Sequence, residues 1–202
     1  MKIKILFVCL ISILKLNVSF GQDSASDILQ NIRDKFETIN DLSADLTQSV
    51  NGNLNFNGKV YYKKENKLRF EFKNILVISD GENAWNYNQK DNKVIITDYE
   101  NEGNKILSLR QIIYEYPEDC EMSTYESEGQ RVLELIPKND NFSFNFIKLY
   151  LSNDYLIKKA LIDDPASGTV ELSLSDYQLN KNIPDSFFQF SPPEGSQVID
   201  LR

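Results

Sequence analysis

The side chains that most often carry out chemistry in proteins are scarce in this sequence. It contains no His, which removes the commonest general base, the Ser-His-Asp and Cys-His arrangements and most zinc sites. Cys120 lies between Asp119 and Glu121, and neighbouring carboxylates raise the pKa of a thiol, the opposite of what a nucleophilic cysteine needs. The paired acids Asp163 and Asp164 lie in a turn-like context, where solvated carboxylates are common. We therefore expect no enzyme activity, no cofactor and no metal; a two-carboxylate glycosidase is the enzyme class that the pattern leaves open.

The N-terminus has the pattern of a secretory signal peptide. Two lysines precede the apolar run Ile5–Leu14, and small residues occupy the −3 and −1 positions of a cleavage site after Gly21. The run is shorter than the ~20 residues that a membrane-spanning helix needs. We expect residues 1–21 to be cleaved on export, which leaves a soluble single domain of residues 22–202.

Charge and cysteine content narrow the partners and the source of stability. The chain has 22 Lys and Arg against 30 Asp and Glu, a formal net charge of −8. An acidic surface repels phosphate backbones, so we expect no nucleic-acid partner. Only Cys120 follows the predicted signal peptide, so no intramolecular disulfide can form. The fold must therefore depend on a packed core, for which 41% hydrophobic residues are sufficient.

The elements that must position any functional residue are mainly strands, and the clearest pattern lies between residues 56 and 87. Leu68, Phe70 and Phe72 alternate there with charged residues, and a strand places alternate side chains on opposite faces. This pattern is typical of an antiparallel strand with one buried and one wet face. Polar turns separate it from further strand-like segments up to residue 98, which predict a meander.

Two segments have helical rather than strand spacing. The first, residues 23–40, carries one apolar stripe, and Asp27 is predicted to cap it. The second, Lys105–Tyr116, ends at Pro117, which cannot continue a helix. Strand-like patterns occupy the rest of the chain, with a change of phase near Phe146 that predicts a β-bulge or a sharp bend.

About ten strands and two helical segments favour a mainly β fold with some α. A strongly curved, incomplete antiparallel β-barrel, with helices covering its concave side, gives both helical stripes an apolar surface to cover. A closed barrel with helices outside is less favoured. Its outer face would have to be apolar, whereas these strands alternate with charged residues.

Aromatic residues are abundant for a β protein of this size, with 12 Phe, 10 Tyr and 1 Trp. An ordinary filled core accounts for this composition. A sharper hypothesis is that part of the concave face is not filled by the chain itself. An apolar cavity under a helical lid would then hold a lipid-like ligand.

Several short motifs carry a resemblance that covers most of the mature chain. They are Phe56-Asn57-Gly58-Lys59-Val60, Lys63-Lys64-Glu65-Asn66-Lys67-Leu68-Arg69-Phe70, Ser79-Asp80-Gly81 with Trp85-Asn86-Tyr87, and Phe187-Phe188-Gln189-Phe190-Ser191-Pro192-Pro193-Glu194-Gly195 with Val198-Ile199-Asp200. In this order and spacing, after a signal peptide and an amphipathic helix, the chain resembles the periplasmic outer-membrane lipoprotein carrier proteins (LolA).

The resemblance implies an incomplete barrel closed by helices around a hydrophobic cavity. In that family the cavity takes the acyl chains of lipoproteins that an inner-membrane ABC-type complex releases. The carrier crosses the periplasm as a monomer and delivers its cargo to the outer membrane or to a receptor there, without covalent chemistry. Acylated lipoproteins, the releasing complex and an outer-membrane receptor are thus the expected partners.

Candidate cavity residues follow from the strand pattern and from the predicted lid. The sheet-side candidates are Leu68, Phe70 and Phe72, with Trp85 and Tyr87 nearby, and the lid-side candidates are Leu107, Leu109 and Ile113. Ordinary core packing is the alternative interpretation of each of these residues.

The chain departs from the family at Lys64-Glu65, where many members have a basic residue followed by Pro. In some members an Arg at this place holds the lid closed through backbone carbonyls. Lys64 keeps the charge but lacks the planar guanidinium with several donors. It is a candidate lid latch, with a solvated surface lysine as the alternative. For the whole chain, an envelope lipid-binding or sensor protein of the same fold and a β-rich scaffold without a ligand also stay open.

Overall fold

The structure, a computed structural model, describes residues 23–99 and 110–202 and begins with helix α1, Ala25–Glu37. The side-chain oxygen of Ser24 accepts a hydrogen bond from the N–H of Asp27 at 3.2 Å, and the Asp27 carboxylate accepts one from the N–H of Ser24 at 3.0 Å. This capping box satisfies two N–H groups that the helix cannot. Ser24 is therefore the cap, and the prediction that Asp27 caps the helix is wrong.

Twelve strands in the described residues form one sheet. They are β1 (Asp41–Val50), β2 (Asn53–Lys63), β3 (Lys67–Phe72), β4 (Ile75–Asp80), β5 (Asn83–Asn88), β6 (Lys93–Asp98), β7 (Cys120–Ser127), β8 (Gln130–Pro137), β9 (Phe146–Leu151), β10 (Ile157–Asp164), β11 (Gly168–Leu179) and β12 (Gln197–Asp200). The order across the sheet is β12-β6-β5-β4-β3-β2-β1-β11-β10-β9-β8-β7. The sheet is not closed, because β12 and β7 are its two edges. The predicted incomplete barrel is thus confirmed.

Pairing along the sheet is antiparallel, except that β12 runs parallel to β6. The longest hairpin, β1–β2, turns at Asn51 and Gly52, whose φ angles are 51° and 77°. Two successive positive φ angles are what a tight two-residue hairpin requires, and Asn-Gly adopts them most easily. The sequence therefore sets the register of the two central strands locally.

Helix α1 packs on one face of the sheet, which we call the helix-side face. Its buried residues Ile28, Leu29 and Ile32 join side chains of β7–β10 in a filled core. The other members of this filled core are Ile112, Ile113, Cys120, Leu133, Leu135, Phe144, Ile147, Leu149, Leu151, Ile157, Ala160 and Ile162. The apolar stripe predicted from the sequence thus lies against strands from the second half of the chain.

The opposite face is crossed by a segment that we call the C-terminal strap, Ile183–Phe190. The ring of Phe187 lies 4.8 Å from that of Tyr61, and the guanidinium of Arg69 lies 4.5 Å from the centre of the Phe187 ring. Phe188 is fully buried. The charged side of β3 is therefore covered by protein rather than facing only water.

The change of phase near Phe146 has a local cause. Strand β9 begins at Phe146 and the chain bends at Asn145 directly before it, so of the two predicted explanations the bend is correct and the β-bulge is not. Phe142 and Phe144 pack instead on the ring of Tyr116, at 5.5 and 5.2 Å between centroids. The second helical segment ends at Glu115, directly before Pro117 as predicted, and Pro117 lies in the short 3₁₀ turn that follows, Tyr116–Asp119.

Some predictions fall wholly or partly outside the described residues. The predicted signal peptide, residues 1–21, lies there, and so does the first part of the second helical segment, residues 105–109. The described end of that segment is a π-helical turn, Gln111–Glu115. None of the helices in the described ranges is long and apolar enough to cross a membrane.

Candidate functional site

A cavity lies between the helix-side face of the sheet and the helices over it. The volume that the centre of a water-sized sphere can reach is about 130 Å³, which corresponds to on the order of ten water sites. Its lining residues are Phe36, Leu42, Leu46, Val60, Tyr62, Asn66, Leu68, Phe70, Val77, Ile78, Ser79, Ala84, Tyr99, Arg110, Ile112, Ile157, Ala160, Leu172, Leu174 and Tyr177. Most of these side chains are apolar, so the cavity favours an apolar occupant.

The strand register builds the cavity wall in rows, because residues opposite each other on neighbouring strands share a face. The first row is Leu42, Tyr62, Leu68, Ser79 and Ala84, one residue from each of β1 to β5. All five line the cavity. The sequence alternation of β3 therefore extends across five strands as one continuous surface.

The second and third rows continue the wall along the strands. The second row contains Val60, Phe70 and Val77, which pair in that order on β2, β3 and β4. The third row contains Leu46 and Phe72, on either side of Gly58. A Cβ atom at Gly58 would collide with the Phe72 ring and with the backbone of β3. Glycine at this position is thus required for β2 and β3 to approach closely under the aromatic ring.

The two halves of the helix-side face differ in how completely they are filled. Leu133, Leu135 and Ile147 in the filled core have 0% of their surface exposed. Leu68 and Phe70, both on β3, stay only half-buried. These apolar side chains lie beneath the helices but keep part of their surface accessible to solvent. Because protein interiors are otherwise closely packed, this combination indicates a hollow. The hollow lies over β1–β5 and β11, and the filled core over β7–β10.

We call α1 together with residues 110–115 the helical cover. Within it, Arg33 Nε donates a hydrogen bond to the carbonyl oxygen of Ile113 at 3.0 Å. The Tyr114 hydroxyl donates to a carboxylate oxygen of Glu37 at 2.7 Å, and the Arg33 guanidinium lies 5.4 Å from the centre of the Tyr114 ring. Burial and this hydrogen bond raise the pKa of Tyr114 to about 12, so the hydroxyl keeps its proton at neutral pH. Two polar contacts therefore join the parts of the cover.

Tyrosines dominate the polar part of the cavity wall. The Tyr177 hydroxyl donates a short hydrogen bond to the Ile157 carbonyl, and burial raises the pKa of Tyr177. Burial also raises the pKa values of Tyr62 and Tyr99. The positive charge of Arg110 lowers both values and so offsets part of this increase. These hydroxyls are neutral at physiological pH and can serve as hydrogen-bond donors.

The predicted sheet-side residues fall in different places. Leu68 and Phe70 lie in the cavity wall. Phe72 shares their face but packs on the Phe70 ring at 6.2 Å and on Phe56 at 4.5 Å. It thus extends the apolar surface beyond the lining residues. Whether these side chains bind a lipid stays a prediction.

The prediction that Trp85 and Tyr87 lie near this lining is wrong. Both rings contact Phe190 of the C-terminal strap, at 6.5 and 5.6 Å between centroids, so they lie on the opposite face. Ala84 pairs with Ser79 and takes the cavity position on β5. The strand period of two then places the neighbouring Trp85 on the other side.

Only some of the predicted lid and latch residues are among those that the structure describes. Leu107 and Leu109 lie outside the described residues. Ile113 is buried in the filled core, and its neighbour Ile112 lines the cavity instead. Lys64 Nζ donates to the carbonyl oxygen of Glu37 at 3.0 Å, at the C-terminal end of α1. Lys64 therefore contacts a backbone carbonyl of the helical cover, and its role as a latch stays a prediction.

Sequence reasoning missed the cavity residues contributed by distant segments. The ring of Phe36 in α1 packs at a tilt on that of Tyr62, at 5.1 Å between centroids, and Leu172, Leu174 and Tyr177 come from β11. Alternation at residues 170–174 already marks them as facing one way. Only the pairing of β11 with β1 shows which face they share.

Chemistry-bearing side chains are sparse in the structure as well. Cys120 is buried, and burial is the main cause that raises the pKa of its thiol, with Asp119 as a smaller one. Within residues 23–99 and 110–202, no group of three or more His, Cys, Asp or Glu residues is placed to hold a metal ion. The cavity is therefore the candidate functional site.

The chain is similar in sequence to proteins of a known family. Residues 37–191 match the family described as outer membrane lipoprotein carrier protein LolA. An outer-membrane lipoprotein carrier protein of Nitrosomonas europaea is 26% identical over 147 residues, which cover 70% of this chain and 71% of that protein. One of Legionella pneumophila (strain Lens) is 26% identical over 189 residues, with coverages of 89% and 91%.

Two further relatives carry no functional description. An uncharacterised protein of Methanocaldococcus jannaschii is 25% identical over 188 residues, and the chain spans about half of its length (54%). The crystal structure of an uncharacterised conserved protein from Thermus thermophilus superposes with a TM-score of 0.60 and 14% identity, covering 87% of this chain and 98% of that one. At this identity the likeness shows the fold alone.

Proposed function

The chain belongs to the outer membrane lipoprotein carrier protein LolA family, and from this premise we propose that it carries lipoprotein acyl chains between membranes. The cavity receives the chains from an inner-membrane lipoprotein-releasing complex of the ABC type. The protein then crosses the periplasm as a monomer and releases its cargo at the outer membrane or to a receptor there. The carrier performs no covalent step.

The single observation that carries this proposal is the hollow over β1–β5 and β11, whose apolar wall is covered but not filled. Leu68 and Phe70 are half-buried in it, whereas the neighbouring filled core is closely packed. Each CH₂ group moved from water into such a site gains about 0.8 kcal/mol. A chain of roughly ten carbons would thus gain about 8 kcal/mol before the costs of binding. Burial of this size is enough to keep an acyl chain out of water during transit.

The helical cover explains how a tightly buried chain can be released. The cover contacts the sheet through the filled core, but its parts meet over the hollow through the polar bonds of Arg33 and Tyr114 and one edge contact between the rings of Phe36 and Tyr114, 6.4 Å between centroids. Polar bonds exposed to competing water contribute only about 0.5–1.5 kcal/mol each. We infer that the cover opens at these bonds while the filled core stays intact. A lipoprotein with several chains requires such widening, because the hollow as it stands has room for about one.

Blocking the hollow tests the proposal. Leu68→Trp adds an indole to the first row, and Leu201→Trp makes the same change at a C-terminal residue with 60% of its surface exposed. We expect Leu68→Trp to abolish transfer of an acylated lipoprotein from donor vesicles. The control variant, Leu201→Trp, should transfer the lipoprotein as well as the unmodified protein does. Circular dichroism and melting temperature check that both variants fold. Undiminished transfer by a folded Leu68→Trp protein would show that cargo does not enter the hollow.

The size of the hollow favours one alternative, a carrier or sensor of single-chain envelope lipids. A volume of about 130 Å³ suits one alkyl chain better than three. Transfer of a monoacyl lipid between vesicles in the absence of lipoprotein, together with no transfer of lipoprotein, would support this alternative.

A further inference from the structure

The cavity is polar at one end and apolar at the other. Tyr62 and Ser79 lie in the first row, and Asn66, Tyr99 and Arg110 line the cavity at this same end. The second and third rows are apolar and begin about 7 Å further along the strands, since two residues of a strand span roughly that distance. An occupant is therefore offered two different environments along its length.

Arg110 brings a positive charge to the polar end. Among the lining residues that the structure describes, it is the one with a formal charge. Its guanidinium lies 5.6 Å from the centre of the Tyr114 ring. Its effect on the pKa values of Tyr62 and Tyr99 shows that it also lies close to those two phenols. The polar end thus holds a guanidinium among tyrosine rings, and the carboxylates of Glu37 and Glu115 act there too, since they raise the pKa values of Tyr62 and Tyr99.

No carboxylate in the described ranges forms an ion pair with Arg110. The carboxylate that α1 brings to this end, that of Glu37, accepts a hydrogen bond from Tyr114. Arg110 is exposed at the edge of the cavity, and an uncharged head that covered its guanidinium would remove water from the charge without replacing the lost hydrogen bonds, which is unfavourable. A ligand with its own negative charge would remove that cost.

We propose that the cavity selects acyl ligands with an anionic head, a carboxylate or a phosphate, held by Arg110. The chain then runs from the first row towards Phe70 and Leu174. A guanidinium can bind either oxyanion through two parallel hydrogen bonds, and the hydroxyls of Tyr62 and Tyr99 are further donors. This inference goes beyond the proposed function and concerns ligands with a single acyl chain, because a chain attached to a lipoprotein is linked as an ester or amide and carries no anionic head; it shares with the proposed function the hollow that takes the chain.

Three ligands with the same chain separate the head from the tail: dodecanoate, dodecanoyl lysophosphatidic acid and methyl dodecanoate, each used below its micellar concentration. Their affinities are measured by calorimetry for the unmodified protein and for Arg110→Gln, Arg110→Lys and Arg131→Gln. Arg131 is the matched control, since its guanidinium also lies over a tyrosine ring, that of Tyr155, at 5.4 Å. It is not a lining residue of the cavity.

We expect Arg110→Gln to bind at least one of the two anionic ligands about tenfold more weakly, the factor expected for one charge-assisted contact. Binding of the methyl ester should not change, Arg110→Lys should recover part of the loss, and Arg131→Gln should behave as the unmodified protein. A loss confined to dodecanoate assigns the head to a fatty acid, and one confined to the phosphate assigns it to a phospholipid.

Two results separate the failure of this inference from that of the proposed function. If all three ligands bind the unmodified protein and Arg110→Gln changes none of them, the head-group site is refuted while acyl binding stands. If none of the three ligands binds, and lipoprotein transfer also fails, the proposed function falls as well.

Discussion

Removing the Arg33 side chain should loosen the helical cover without unfolding the sheet. Arg33 joins the two parts of the cover through its hydrogen bond to the Ile113 carbonyl, at 3.0 Å, and through its position over the Tyr114 ring. Neither contact reaches the sheet. Arg33→Ala therefore removes interactions that exist only while the cover is closed.

The magnitude follows from these two contacts. A hydrogen bond from a charged donor contributes about 1.5 kcal/mol or more. A guanidinium over an aromatic ring adds roughly 0.5–1 kcal/mol at a partly exposed site. Together they stabilise the closed cover by about 2 kcal/mol, and each ~1.4 kcal/mol changes an equilibrium tenfold. The open population should thus rise by roughly thirtyfold in Arg33→Ala.

Release of a bound fluorescent fatty acid into excess acceptor vesicles measures this population, because release requires an open cover. We expect the release rate of Arg33→Ala to rise towards that thirtyfold limit. The matched control is Arg131→Ala, which removes a guanidinium 5.4 Å over the Tyr155 ring and a 3.0 Å hydrogen bond to its hydroxyl. The control should lose stability without faster release.

One result would refute the reasoning. If Arg33→Ala and Arg131→Ala lower the melting temperature equally and both release the fatty acid at the unmodified rate, the Arg33 contacts support the fold and do not hold the cover closed. The opening step would then have to be sought elsewhere, for example at the Lys64 contact with the Glu37 carbonyl.

Two further predictions concern regions outside the cover. Hydrogen bonds from Lys63 and Lys67 lower the pKa of Asp185 below its ordinary value of 3.8. The ionised carboxylate therefore stabilises the folded protein above pH ~3.8, and this contribution is lost as the pH falls through the lower pKa of the folded state. The C-terminal strap should therefore loosen in acid, seen as a fluorescence change of Trp85, and Asp185→Asn should flatten that transition. Tyr177→Phe leaves the Ile157 carbonyl without its donor, so the free energy of unfolding should fall by about 1–2 kcal/mol in denaturant melts; an unchanged value would mean that water replaces the hydroxyl.

The sequence predicts the architecture well where the pattern is local. Alternation at Leu68, Phe70 and Phe72 identifies one face of β3, and the structure places all three on the helix-side face. The Asn51-Gly52 turn is likewise local, because its backbone angles depend on those two residues. Fold class, strand meander and the stripe of α1 follow from such patterns.

What the sequence does not predict depends on contacts between distant segments. The sequence around Trp85 does not show which face of the sheet buries its ring. The ring is covered by the C-terminal strap, which lies about a hundred residues later in the chain. The parallel pairing of β12 with β6 has the same origin. Arg33 appears in the sequence as an ordinary surface charge, because its partner Ile113 lies in another element.

The division of the helix-side face into a filled and a hollow half has a thermodynamic consequence. A hollow of about 130 Å³ costs stability, because its apolar lining lacks the partner atoms that a filled core provides. Larger side chains at small positions such as Ala84 would remove that cost, yet the wall keeps Ala there. The filled core of β7–β10 anchors the cover and sustains the fold, so the hollow can remain unfilled. An alkyl chain that enters it regains the lost packing in addition to its own transfer from water, and both contributions vanish when the cover opens. Affinity and release are thereby set by the same few bonds.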